Sequence, residues 1–165
     1  MMSILAACTL IFAACNNNAP KQESTETATT ETPAAAPATP TTEEITLNAG
    51  DDMKFDKTEI TVKAGSTVKL TLHHTGKSPK TGMGHNFVLL ATGTNLTDFT
   101  TAAIAAKDND YIPKDLQSSI IAHTKLLGGG ESDTIEFPAP EKGTYTYICT
   151  FPGHFATMKG TLTVE

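Results

Sequence analysis

The stretch that most constrains the fold is Cys149-Thr150-Phe151-Pro152-Gly153-His154-Phe155-Ala156-Thr157-Met158, set between two segments of strand character. Before it, Gly143-Thr144-Tyr145-Thr146-Tyr147-Ile148 alternates small or polar residues with large apolar ones. After it, Lys159-Gly160-Thr161-Leu162-Thr163-Val164 does the same. A short loop between neighbouring strands keeps its ends together, and Pro152-Gly153 supplies a tight turn inside it. That turn folds His154 back over Cys149, and Met158 reaches the same point from the far side. A thiolate, an imidazole and a thioether thus converge, so the fold has to end two strands side by side beneath a potential metal site.

The rest of the chain from residue 44 reads as more strands. Residues 44–48 alternate and give way to the turn Ala49-Gly50-Asp51-Asp52. Residues 59–63 form a second segment, closed by Ala64-Gly65-Ser66. In Thr67-Val68-Lys69-Leu70-Thr71-Leu72-His73, the residues Val68, Leu70 and Leu72 share one face. A loop punctuated by Gly76, Pro79 and Gly82 leads to Met83-Gly84-His85-Asn86-Phe87-Val88-Leu89-Leu90, whose apolar run predicts a strand buried on both faces. Residues 95–107 break the rhythm. Thr94 or Asn95 can cap a helix, Leu96, Phe99, Ala103 and Ala106 recur at helical spacing, and Pro113 blocks extension. Residues 118–123 and 133–137 are further strands, and Pro138 and Pro140 break the second of these. Seven or eight short strands with one helical insertion predict an all-β sandwich or barrel.

The first 43 residues are different in kind. Residues 1–15 are apolar or small and too few to span a bilayer, which takes ~20 residues. They read as a signal segment, with Phe12-Ala13-Ala14-Cys15 resembling a lipoprotein cleavage box and Cys15 the lipidation candidate. Residues 16–43 contain no Leu, Ile, Val or aromatic residue, and prolines at 20, 33, 37 and 40 hold them extended. They predict a disordered tether between a membrane anchor and a folded domain over 44–165. The chain carries 12 Lys, no Arg and 18 Asp plus Glu, with no basic run and no basic–aromatic interleaving. Nucleic-acid binding is excluded on that balance. After processing, Cys149 is the sole cysteine, with no disulfide partner. In an oxidising compartment a thiolate held by a metal is safer than a free thiol.

A second histidine far upstream, His85, completes a His₂Cys set with a weak axial Met158, the ligand set of a blue-copper site. Gly84 lacks a side chain and leaves its carbonyl free to approach as a weak axial oxygen. Asn86 is placed to tie the ligand loop down. Structural zinc takes four strong ligands, whereas this set offers three and a soft thioether.

Three segments in order, Met83-Gly84-His85-Asn86, Ile121-Ala122-His123-Thr124-Lys125-Leu126 and Cys149 to His154 continuing through Met158-Lys159-Gly160-Thr161-Leu162-Thr163, resemble the azurins, a group of small cupredoxins. The resemblance covers about residues 45–164. It implies an eight-stranded Greek-key β-barrel with a helical flap at 95–107. It also implies one type 1 copper held by His85, Cys149 and His154, with Met158 and the Gly84 carbonyl as axial groups. Met53, Met83, Phe151, Pro152 and Gly153 match an apolar patch through which His154 passes electrons, and His74 matches a pH-titrating histidine beside the site. His73 and His123 are read as surface or strand histidines. The chain departs from the azurins in lacking their early disulfide, in placing Phe87 where they carry a core tryptophan, and in placing Ser78, Gly82 and Thr157 where they carry aliphatics.

The function implied is a one-electron carrier, not an enzyme, working as a monomer in the periplasm or cell envelope as a membrane-anchored lipoprotein. Its partners would be redox proteins: a cytochrome-type donor and a terminal reductase, oxidase or peroxidase. The alternative is an envelope protein that binds and delivers copper, which would favour exposed, exchangeable Met- or His-rich ligands. An oxidase or nitrite reductase would need further copper centres, for which spare histidines are too few.

Overall fold

The computed structural model describes residues 41–165. The signal segment, Cys15 and nearly all of the tether lie outside the described residues. Eight strands form two sheets: β1 (Thr42–Ala49), β3 (Thr67–His74) and β6 (Ser132–Pro138) in one, and β2 (Glu59–Val62), β8 (Lys159–Val164), β7 (Gly143–Ile148), β4 (Val88–Leu90) and β5 (Ile120–His123), in that spatial order, in the other. β1 runs parallel to β3 and β2 parallel to β8, while every other neighbouring pair is antiparallel. This is a Greek-key β-sandwich with a short helix inserted. β1 starts at Thr42, two residues ahead of the boundary placed at 44, because Thr42 and Glu43 already pair with Thr67 and Val68.

The sheets close on a core that sequence alternation defines. Along β3, Val68, Leu70, Leu72 and His74 are buried while Thr67, Lys69, Thr71 and His73 are half-exposed. From the other sheet, Ile60, Val62, Phe87, Leu89, Tyr145, Tyr147, Leu162 and Val164 pack against them. Each fully buried Leu or Val contributes about 1.5–3 kcal/mol of apolar transfer. His74 thus enters the core by continuing a two-residue period, not by local chemistry of its own.

β4 is buried on both faces. Leu89 joins the inter-sheet core, whereas Val88 and Leu90 meet Phe99, Ile112 and Ile148 in a second cluster. The insertion supplies that outer cover. Helix α2 (Leu96–Ala105) is capped by Asn95, whose side-chain oxygen accepts from the Thr97 and Asp98 amides at 3.0 and 3.3 Å. A four-residue turn of helix, α1 (Lys80–Met83), stands in the loop expected to be irregular. Ser118 and Ser119 belong to a 3₁₀ segment (Lys114–Ser119) rather than to β5. No helix among the described residues is long and apolar enough to cross a membrane.

Candidate metal centre

The site lies at one end of the sandwich. Cys149 directly follows β7, and Met158 immediately precedes β8, the antiparallel neighbour of β7. The ladder between them continues past the strands, since the Cys149 amide donates to the Met158 carbonyl at 3.0 Å. Inside the loop, the His154 amide donates to the Phe151 carbonyl at 3.0 Å, with Pro152 and Gly153 in the middle and Gly153 at φ 83°. That is a type II turn, in which a glycine third residue is favoured because φ is positive. A second turn follows, with the Thr157 and Met158 amides both on the His154 carbonyl. The turns bring the His154 Nδ1 to 3.7 Å from the Cys149 Sγ.

His85 comes from a separate segment and is fixed at both backbone groups. Its amide donates to the Leu127 carbonyl at 3.0 Å and its carbonyl accepts from the Leu127 amide at 2.8 Å. Its ring Nε2 donates to the Gly50 carbonyl at 2.8 Å, which sets the tautomer and leaves Nδ1 bare. That Nδ1 is the one buried side-chain nitrogen or oxygen among the described residues with no hydrogen-bond partner. A buried acceptor left unpaired costs ~1–3 kcal/mol, so its survival here points to a ligand. One ligand atom each from His85, Cys149 and His154 lies within 4.8 Å of the others. Such spacing is suited to one shared ion with bonds of ~2.0–2.3 Å.

The surroundings hold all three groups uncharged in the absence of metal. His85 and Cys149 have no exposed surface and His154 is 3% exposed. Burial pushes the Cys149 thiol up to about 11. Burial first, and the neighbouring His85 and His74 second, hold His154 down to about 4. Burial also lowers His85. Hydrogen bonds from the Asn86 and Phe151 amides offset only part of the cost of burying a thiolate here, and a cation would supply the rest.

Around this trio stands a closed set of hydrogen bonds. Asn86 is fully buried. Its Nδ2 donates to the Thr150 Oγ1 at 2.7 Å, and its Oδ1 accepts from the Thr150 amide at 2.8 Å, so the residue after His85 is locked to the residue after Cys149. The Thr124 hydroxyl accepts from the Phe87 amide at 3.0 Å and donates to the Lys125 carbonyl at 3.0 Å. His74 stacks on His85 with ring centroids 4.3 Å apart; its Nε2 donates to the Met83 carbonyl at 2.8 Å and its Nδ1 accepts from the Gly76 amide at 3.1 Å.

Met158 is completely buried, and the Gly84 carbonyl lies 3.9 Å from the Cys149 Sγ. Gly84 sits at an ordinary negative φ, so conformational freedom is not its role. A Cβ there would come within 2.6 Å of the Lys80 carbonyl and 3.0 Å of the Leu126 side chain. Phe151 packs on His154 at 4.7 Å between ring centroids. Met53 is held in the left-handed region at φ 55°, is 38% exposed, and receives the Thr157 hydroxyl on its carbonyl at 3.2 Å. His123 is exposed and His73 half-exposed. Gly50, Thr150 and Thr124 carry much of this scaffold, and nothing in their local sequence marks them out, since two act through contacts 35 and 64 residues away.

Residues 41–165 match the family model described as copper binding proteins, plastocyanin/azurin family. The chain belongs to that family. Azurin-1 of Alcaligenes xylosoxydans xylosoxydans is 42% identical over 122 residues, covering 72% of this chain and 94% of the relative. The azurin of Pseudomonas aeruginosa is 41% identical over 126 residues, covering 73% of this chain and 84% of the relative. Among solved structures, auracyanin A, a "blue" copper protein from the green thermophilic photosynthetic bacterium Chloroflexus aurantiacus, superposes with a TM-score of 0.69 at 36% identity over 75% of this chain and 99% of that one. As a member of the plastocyanin/azurin family, this protein has one type 1 copper site, and the cluster of His85, Cys149 and His154 is consistent with it.

Proposed function

We propose that the chain is a one-electron carrier in which Cys149, His85 and His154 would hold the copper, with Met158 and the Gly84 carbonyl as weaker donors beside them. The observation that carries the reading is the buried, unpartnered Nδ1 of His85 facing a buried thiol and a second imidazole. A copper ion in this set supplies a Cu(I)/Cu(II) couple. Soft sulfur accommodates the reduced ion and imidazole accommodates both.

The protein's part is to keep the donors where they are. His85 is pinned by Leu127 and Gly50, Cys149 and His154 by two successive turns, and Asn86 joins the two segments. A frame this crosslinked holds one geometry for both oxidation states. Burial of the trio leaves no room for a substrate beside the ion, which argues for electron transfer across the surface and against chemistry on a bound molecule. The same burial disfavours copper delivery, which needs ligands that a recipient can reach.

His154 is the donor nearest solvent. The resemblance to azurins assigns Met53, Met83, Phe151, Pro152 and Gly153 to the face around it, where a redox partner would dock: a cytochrome-type donor, or a reductase, oxidase or peroxidase as acceptor. The kinship with azurins and the leader-like residues 1–15 support a periplasmic or cell-envelope location, with Cys15 as the anchor point.

The deciding experiment is a visible absorption and EPR spectrum of the chain reconstituted with Cu(II), beside Cys149→Ser. An intense thiolate-to-copper band with narrow copper hyperfine splitting, absent in the variant, supports the carrier. Ordinary tetragonal copper signals refute it. Slow loss of copper to a chelator separates carrier from delivery protein.

A further inference from the structure

Two consecutive left-handed residues, neither of them glycine, follow the inserted helix: Asp110 at φ 52° and Tyr111 at φ 61°. Side chains are disfavoured there, and such conformations persist only where the surroundings over-determine them. Here the Ala106 carbonyl accepts from both the Asn109 and Tyr111 amides, and the Asn109 side chain donates to the Ile112 carbonyl at 2.6 Å.

Each strained residue touches the neighbour of a copper-site residue. The Asp110 carbonyl accepts from the Asn86 Nδ2 at 3.2 Å, and Asn86 links the residue after His85 to the residue after Cys149. The Tyr111 ring meets Phe151 edge-on, centroids 5.3 Å apart, and Phe151 in turn packs on His154 at 4.7 Å. Tyr111 is buried, 8% exposed, with its ring against Phe151. The ring, not the hydroxyl, makes the contact. A turn that only had to close the chain would place neither group so specifically.

We propose that the Asp110–Tyr111 turn is a positioning clamp for the metal centre, with Tyr111 acting through Phe151 on His154 and Asp110 through Asn86 on the two ligand segments. This rests on the carrier reading above for its spectroscopic consequence. It gives the helical insertion a second role beyond covering Val88, Leu90 and Ile148. Removing the Tyr111 ring lets Phe151 shift, and His154 with it, while the two sheets stay intact.

The test compares the full chain with Tyr111→Phe and Tyr111→Leu, loaded with Cu(II) and metal-free. In the loaded forms, Tyr111→Leu shifts the thiolate-to-copper band and releases copper to a chelator about tenfold faster, the usual scale for losing an outer support of a ligand. Tyr111→Phe matches the parent. In the metal-free forms, hydrogen exchange at the Thr150 amide speeds up in Tyr111→Leu while the amides of β3 keep their rates, which separates local loosening from general destabilisation.

Phe151→Leu completes the set: in that background Tyr111→Leu adds no further change, because the clamp acts through Phe151. The proposal is overturned if Tyr111→Leu matches the parent, if every amide accelerates alike, or if Tyr111→Phe is as disturbed as Tyr111→Leu. Should Tyr111→Leu fail to fold, the comparison of Tyr111→Phe with Phe151→Leu still decides, since a disturbed Tyr111→Phe refutes the ring contact. A parent chain without the blue band overturns the carrier reading instead, and the exchange measurement then decides the clamp alone.

Discussion

Metal binding to this site should release one proton, and the source should be Cys149. Burial raises the metal-free thiol to about 11 and lowers His154 to about 4, so between these values the empty site holds one ionisable proton that a metal must displace. At pH 7 a thiol with that affinity is ionised in roughly one molecule in ten thousand. The apparent affinity for a divalent metal therefore rises about tenfold per pH unit from about pH 6 to about pH 9, a thousandfold in all. As the pH falls through about 4, His154 takes up a proton as well and the dependence steepens.

Zinc is a suitable probe because it does not oxidise the thiol. Its affinity is read by competition against a chelator whose own protonation is corrected for, and the released proton is counted in weakly buffered solution. Cys149→Ser loses both the proton and the slope. A parent chain with no slope would mean that the empty site already holds a thiolate. A slope of two across the neutral range would mean that an imidazole stays protonated there. Either result refutes the picture of a desolvated, neutral trio.

The same groups shape the stability of the metal-free protein. His154 and His85 are lowered from their ordinary 6.5, so the unfolded chain binds more protons and stability falls as pH drops below that value; Cys149 is raised above its ordinary 9.0, so stability falls again as pH climbs from there towards about 11. Thermal melts across pH should show a plateau between these limits, and a melt independent of pH would contradict it. Asn86→Ala leaves the Thr150 amide and the Asp110 carbonyl without their partner and should cost about 2–4 kcal/mol in urea unfolding. A double-mutant cycle with Thr150→Val should show a coupling above about 0.5 kcal/mol. Gly160→Ala puts a Cβ 2.2 Å from the Tyr147 ring and 2.7 Å from the Thr58 carbonyl. It should destabilise by about 3 kcal/mol or more. Tyr147→Phe only removes the hydroxyl's bond to the Lys57 carbonyl and should cost about 1 kcal/mol, so an equal loss in both variants would refute the steric account.

Much of the fold is legible in the alternation of residues. The period that places Val68, Leu70 and Leu72 inside continues to His74, and the unbroken Val88-Leu89-Leu90 reports a strand covered on both sides. The candidate site is legible where residue type is distinctive, as at Cys149, His154 and His85. It is not legible where the backbone acts, because every residue offers a carbonyl and nothing marks Gly50 as the partner of His85. Nor does composition announce a left-handed pair at Asp110 and Tyr111, since neither is glycine and the contacts that hold them come from Ala106 and Asn86. The strand expected from the apolar run after His85 is only three residues long, Val88–Leu90, for a similar reason. The Thr124 hydroxyl takes the Phe87 amide, and Leu127 takes His85 as an isolated bridge.

The placement of the site at the seam of the sandwich follows from these contacts. The five-stranded sheet supplies the loop carrying Cys149 and His154, and the segment entering β4 supplies His85. The three-stranded sheet supplies what stands behind His85: the Gly50 carbonyl directly after β1 and the His74 ring at the end of β3. The donors and their backing therefore belong to different sheets, and the shared core that includes Leu47, Leu70, Leu72, Phe87, Leu89 and Tyr147, with the His85–Gly50 and His74–Met83 hydrogen bonds, keeps the two in register. A metal bound by one sheet and braced by the other senses any slippage between them. Loss of inter-sheet packing should thus loosen the site before it unfolds the strands, and metal bound at the seam should stabilise the sandwich as a whole.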